Sequence, residues 1–178
     1  MIRVACGFAW VIVVGLSCFG SQKPAGADGE KDLPQFTEVT PSIATAGQPT
    51  AEGFKKLAAN GYKAVINLRT DKEPVDLAAE EKLVRSLGMR YYSVPVLGTD
   101  LQESRAEEFL KLMRDLGDDK RVIHCAAANR AGAFLMMHRV LEDGLTVEQA
   151  EAEARRVGLR SEPFARFAKD VIEKQKAK

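Results

Sequence analysis

Arg121-Val-Ile-His-Cys-Ala-Ala-Ala-Asn-Arg-Ala-Gly-Ala133 is the stretch that decides the reading of this 178-residue chain. Val122 and Ile123 form the short apolar run of a buried strand. Phe134-Leu-Met-Met137 with Val140 and Leu141 reads as a largely buried helix, so Cys125 to Arg130 is a strand-to-helix turn. The start of a helix offers N–H groups with no intrahelical partner and a partial positive charge, which makes such a turn a ready anion site. Cys125 stands at the strand end facing it. The helix start and the Arg130 guanidinium both favour its thiolate, the reactive form. Arg130 can also grip an oxyanion with two parallel hydrogen bonds, which a lysine could not. The competing reading is that Cys125 merely ends a strand and Arg130 opens an exposed helix. The run between them, Ala126, Ala127, Ala128 and Asn129, favours a site, because small residues keep the loop backbone open to a ligand.

Working outward, further strands are expected at Phe36–Val39, Ile43–Ala46, Ala64–Leu68 and Arg90–Pro95. Between them lie helical patterns: one capped by Thr50, one from Asp76 to Leu87 closed by Gly88, and one carrying Phe109, Leu112, Met113 and Leu116 at helical spacing. After the central stretch, Thr146-Val-Glu-Gln149 is a capping box opening a helix that ends near Gly158. Ser161 caps a last helix whose Phe164, Phe167, Ala168 and Val171 are expected to face inward. Alternating strands and helices predict an α/β fold, a mostly parallel central sheet with helices on both faces, and a ligand at the C-terminal strand ends.

Residues 1–27 read as a signal peptide. Arg3 gives the positive start, Val4 to Phe19 the apolar segment, and Ala25-Gly-Ala27 the cleavage site. Export to the periplasm or beyond is therefore expected, with no membrane span after cleavage; a lipid anchor on Cys18 and an uncleaved membrane anchor are the alternatives, and both also imply export. Residues 28–38 are assigned as a linker, polar and aperiodic as far as Gln35, and 39–178 as one domain. Cys6 and Cys18 fall in the leader, so the mature chain keeps Cys125 alone and forms no internal disulfide. In an oxidising compartment a lone thiol is a liability unless it is buried or used. With 26 Lys and Arg against 25 Asp and Glu, the chain carries no electrostatic footprint for nucleic acid.

A thiolate at the base of an anion cradle suits attack on phosphorus or sulfur. Phosphoryl chemistry also needs an acid for the leaving oxygen. Asp100, on the loop before the last helix ahead of Cys125, is the first candidate, with Asp71 and Glu73 as rivals. Asp100 could instead cap that helix, since Asp100 and Glu103 have capping-box spacing; Ser104 and Glu107 have it too. His124 either tunes the thiolate or hydrogen-bonds within the sheet.

These residues resemble the bacterial phosphatase-like domain related to dual-specificity and tyrosine phosphatases, the type also found beside beta-lactamase-like hydrolases. The resemblance spans about residues 40 to 158. It rests on Ala46-Gly-Gln-Pro49, Gly61-Tyr-Lys-Ala-Val-Ile-Asn-Leu-Arg69, Leu87-Gly-Met-Arg-Tyr-Tyr-Ser-Val-Pro-Val96 and His124-Cys-Ala-Ala-Ala-Asn-Arg-Ala-Gly132. It implies a cysteine-phosphatase fold with Cys125 as phosphocysteine nucleophile, Arg130 as phosphate clamp and an acidic loop residue as general acid. It implies no metal or organic cofactor. The substrate would be a phosphorylated protein or a small phosphoester.

Three departures from tyrosine phosphatases stand out. Only Ala126 to Asn129 separate Cys125 from Arg130, a spacing shared with rhodanese-type sulfurtransferases. Ala128 replaces a usual glycine, and Ala131 a usual hydroxyl residue. A sulfurtransferase forming a persulfide on Cys125, or a module binding an anion or a partner without turnover, are the alternatives that follow.

Overall fold

A computed structural model describes residues 31–177. The expected leader, 1–27, lies outside the described residues. Each apolar run expected as a strand joins one five-stranded sheet: β1 (Thr37–Glu38), β2 (Ile43–Ala46), β3 (Ala64–Asn67), β4 (Arg90–Ser93) and β5 (Arg121–His124), in the order β1-β2-β5-β3-β4. Only β1 is antiparallel; β5 lies parallel between β2 and β3, with Ile123 opposite both Thr45 and Ile66. The strand that leads into Cys125 is therefore the central one.

The helices are α1 (Ala51–Ala59), α2 (Leu77–Ser86), α3 (Glu103–Leu116), α4 (Asn129–Leu141), α5 (Val147–Val157) and α6 (Glu162–Lys176). Period-two alternation sorts the strand side chains between two layers. Val65 and Val122 face Phe54 and Leu57 of α1 and Val84 of α2, while Ile66 and Ile123 face Phe109 and Met113 of α3 and the buried length of α4. Helix α4 is buried from Ala131 to His138, so it has no polar face, as expected of a helix enclosed by α3, α5 and α6. Phe109 and Phe134 meet edge to face at 5.3 Å; such a pair adds about 1 kcal/mol beyond burial of the rings.

The caps at Thr50, Thr146 and Ser161 form as expected, and Asp76, expected as the start of its helix, proves to be its cap; each side-chain oxygen accepts an N–H of the first turn. Helix α3 differs. It begins at Glu103 with Gln102 at the cap position and no side-chain cap, so neither Asp100 nor Ser104 serves there.

The linker assignment of residues 28–38 also needs correction over its described part. Lys56 pairs with Asp32 at 2.7 Å, the Asp32 carbonyl accepts from Thr50 N–H at 2.9 Å, and the Pro34 carbonyl accepts from Gly47 N–H at 2.7 Å. Leu33 and Phe36 pack on the α1–α2 layer, and β1 pairs with β2. A cβ on Gly53 would stand 2.1 Å from the Asp32 carbonyl oxygen, so the chain runs against α1 where α1 has no side chain to block it. The stretch lacks periodicity because it is held by single contacts, backbone carbonyls among them, rather than along one face of a regular element.

Candidate active site

Cys125 is 1% exposed and sits at the base of a cavity of about 400 Å³, whose lining includes Thr70, Lys72, Leu97, Ala127, Arg130 and Phe164. Strand β5 ends at His124 and α4 starts at Asn129, so residues 125–128 make the turn between sheet and helix. Gly47 and Gln48 brace this turn from outside: Gln48 N–H donates to the Ala126 carbonyl at 3.2 Å, and a Cβ on Gly47 would press on that same oxygen. Because the carbonyl and N–H of one peptide unit point opposite ways, pinning the Ala126 carbonyl outward aims the Ala127 N–H inward. Among the described residues no protein acceptor takes the backbone N–H groups of Ala126, Ala127, Asn129 and Arg130, all of which line the cavity, whereas Ala128 is buried where the turn bridges back to Gly47 and β2, and Gly132 N–H donates to the Ala128 carbonyl at 2.8 Å. Such a run of free donors at a helix start forms an anion cradle.

Ala128 has φ +54°, the left-handed region. The turn therefore does require the conformation in which glycine is usual, and alanine adopts it at a cost of about 1–2 kcal/mol. Gly158 makes room for it: a Cβ there would lie 2.7 Å from the Ala128 Cβ. Ala131 is fully buried in α4 and offers no hydroxyl to Cys125.

Arg130 is fixed along one edge. Nη1 donates to the carbonyls of Leu68 (3.1 Å) and Val96 (3.0 Å) and to Glu73 Oε1 (2.6 Å), and Nη2 donates to Glu73 Oε2 (2.7 Å). That leaves Nε–H and the outer N–H of Nη2 uncommitted to any protein oxygen, with Cys125 close enough to interact with the guanidinium. The free edge is the one a tetrahedral oxyanion would take.

Glu73 was expected as a rival general acid, and this arrangement corrects that. Burial works to raise its carboxyl, but hydrogen bonds from Arg130, the Thr70 N–H and Arg69 overcome it and hold the group down at about 2. At ordinary pH it has no proton to give. It positions Arg130 instead, and is itself steadied by Arg69, whose Nη1 donates to Gln48 at 2.7 Å. Gln48 Nε2 in turn donates to Glu80 at 2.6 Å, and the Tyr91 hydroxyl donates to Glu80 at 2.8 Å.

His124 lies on the opposite face of the sheet from this cavity, fully buried, edge-on to Phe54 at 5.9 Å. Its Nε2 is 3.3 Å from Glu80 but off the hydrogen-bond axis, and Nδ1 finds no partner among the described residues. It belongs to the packing behind the turn and reaches Cys125 only through the backbone.

Asp100 does not line the Cys125 cavity. It is exposed, accepts from Gln102 Nε2 at 2.8 Å, and lines an adjoining depression with Asp71, Arg105 and others. Thr70, Lys72 and Leu97 border both hollows, so Asp100 and Asp71 stand at the rim. Phe164, expected to turn into the core, is only half buried and forms a wall of the cavity, 3.5 Å from where a Gly98 Cβ would be. Its helical spacing showed an apolar face, which does not distinguish core from cavity wall. Lys72 was also missed; an exposed lysine in a polar loop carries no local sign of a site so far along the chain.

The fold and the thiol-based anion cradle define the cysteine-phosphatase class. The chain belongs to the family described as DSP-PTPase phosphatase fused to NAD+ kinase, which it matches over residues 27–175. It is thus a dual-specificity/tyrosine-type phosphatase domain. The Beta-lactamase hydrolase-like protein of Xylella fastidiosa is 27% identical over 121 residues, 66% of this chain and 28% of that protein, so the chain spans about a quarter of the length of such curated relatives. In structure it is similar to a DUF442 protein of Shewanella putrefaciens CN-32 described as a phosphatase, with TM-score 0.72 and 22% identity over 85% of this chain and 98% of that one. It is also similar to Pseudomonas aeruginosa TpbA in complex with phosphotyrosine, with TM-score 0.60 and 19% identity over 85% and 91% of the two chains. These two likenesses concern the fold.

Proposed function

We propose that the domain hydrolyses phosphomonoesters of a phosphorylated protein or a small phosphoester through a phosphocysteine on Cys125. The observation that carries this reading is the pairing of the unclaimed N–H groups of Ala126, Ala127, Asn129 and Arg130 with the free edge of the Arg130 guanidinium, both bordering the cavity that holds the thiol. The Cys125 thiolate attacks phosphorus in line; the S–P bond forms as the P–O bond to the leaving group breaks, and the leaving oxygen takes a proton from Asp100 or Asp71 at the rim. Water then attacks the phosphocysteine, the rim carboxylate accepts its proton, and the S–P bond breaks to release phosphate and thiolate. The backbone donors and Arg130 stabilise the equatorial oxygens in both steps, each well-placed donor contributing about 3 kcal/mol. The half-buried Phe164 and Leu97 walls favour an aromatic leaving group such as a tyrosyl side chain.

Family membership favours phosphoryl over sulfur chemistry, and the expected leader would deliver the enzyme outside the cytoplasm. Acid-quenched reaction with a labelled aryl phosphate, followed by peptide mapping, tests the mechanism. Phosphate should be found on the peptide containing Cys125, and Cys125→Ser should lower turnover at least about a thousandfold. A persulfide on Cys125, or no covalent species together with unaffected hydrolysis, would sink it. Intact mass of the exported protein tests the leader, the expected product beginning at Asp28.

A further inference from the structure

We propose that a second cavity, on the other flank of the Cys125 turn, is an accessory anion subsite, so that the substrate carries a second oxyanion besides the phosphate to be removed. This rests on the phosphatase reading above. The cavity has a volume of about 420 Å³ and shares Ala127 and Asn129 with the cavity that holds Cys125. Its charged lining is Arg156 and Arg160, with Gln35 and Thr37 as polar groups; among the described residues no Asp or Glu borders it. In a chain whose cations and anions number 26 and 25, two arginines lining a cavity that no carboxylate lines, beside the reaction site, are informative. Elsewhere the pattern is the ordinary one: the hollow under Arg121 and His138 also contains Asp118, Glu142 and Asp143, and the one beside Asp100 sets Asp71 against Lys72.

Neither arginine has a carboxylate to itself. Arg160 Nη1 donates to the carbonyls of Arg155 and Leu159, finishing the end of α5, and no carboxylate among the described residues lies within ion-pair distance of it. Arg156 is 3.8 Å from Glu153, but Glu153 is already taken by Arg139 at 2.7 Å. Asn129, the first residue of α4, ties Arg160 to the cradle: its Oδ1 accepts from the N–H groups of Arg160 (2.9 Å) and Ser161 (3.1 Å). The floor exists because Gly158, at φ +129°, has no side chain over Ala128. A phosphomonoester held at Cys125 can therefore send a second phosphate or carboxylate over Ala127 and Asn129 to two waiting guanidinium groups. The second oxyanion belongs either to a small bisphosphate or to an acidic residue flanking a phosphotyrosine.

The test is calorimetric binding to Cys125→Ser of phenyl phosphate, of a benzene bisphosphate, and of a phosphotyrosyl peptide with and without flanking glutamates. The bisphosphate or the acidic peptide should bind about tenfold more tightly than its singly charged counterpart, and Arg156→Glu, which breaks no backbone contact, should erase that ratio. Whichever ligand shows the Arg156-dependent preference identifies the source of the second anion. The ratio should also shrink with added salt. Equal affinities, or a preference that survives Arg156→Glu, would overturn the subsite while leaving the phosphatase reading in place. Failure of Cys125→Ser to bind even phenyl phosphate would overturn both.

Discussion

Glu73 holds Arg130 by one edge of its guanidinium, its two oxygens 2.6 and 2.7 Å from Nη1 and Nη2, and so leaves the adjoining Nε–Nη2 edge for the thiol cavity. This fork locks the rotation of a side chain whose orientation the reaction depends on. Glu73→Ala is expected to lower kcat/KM by about 10–100-fold, the scale of a charge-assisted bidentate contact, with part of the loss in KM. Steady-state kinetics on an aryl phosphate checks it. A tighter affinity for phosphate would instead mean that Glu73 competes with substrate, and unchanged kinetics would mean that the Leu68 and Val96 carbonyls suffice.

The same pair makes stability depend on pH. The Glu73 carboxyl lies at about 2 in the fold against an ordinary 4.5, so between these values the unfolded chain binds the proton and the folded one does not. Its contribution is complete above pH 4.5 and is lost as pH falls toward 2. Denaturant unfolding should show Glu73→Gln less stable than wild type at pH 6, the gap narrowing steadily below pH 4.5. A gap independent of pH would contradict this.

Ala128 and Gly158 should be energetically coupled. Gly158→Ala brings a methyl to 2.7 Å from that of Ala128 and forces φ +129° on an L residue, at an expected cost of about 2–3 kcal/mol. On an Ala128→Gly background the clash disappears and the backbone strain stays, so the penalty should drop by about 1 kcal/mol. Additive effects in a double-mutant cycle of unfolding free energies would refute the coupling.

Asp100→Asn should slow hydrolysis of alkyl phosphates far more than that of activated aryl phosphates, because a good leaving group needs little protonation. Since Asp100 caps no helix, its loss should scarcely change Tm. If Asp71→Asn shows the leaving-group signature and Asp100→Asn does not, the acid is the neighbour on the earlier loop.

Local chemistry fixed much of this protein in advance. Apolar runs of strand length, caps at Thr50, Thr146 and Ser161, and the Cys125-to-Arg130 turn are each decided within a few residues by hydrogen bonding and periodicity, and each could be read from the chain. Family membership was legible for the same reason: its motifs lie at turns where a short segment performs one task. What the tertiary structure alone decided are relations across long separations. The insertion of β5 between β2 and β3, the docking of residues 32–38 against α1 and β2, the use of Phe164 as a cavity wall and the conversion of Glu73 from candidate acid to partner of Arg130 all depend on which surfaces meet. A carboxylate on a polar loop can donate a proton or hold an arginine. Only the approach of residue 130, 57 positions further along, settles which free energy is lower.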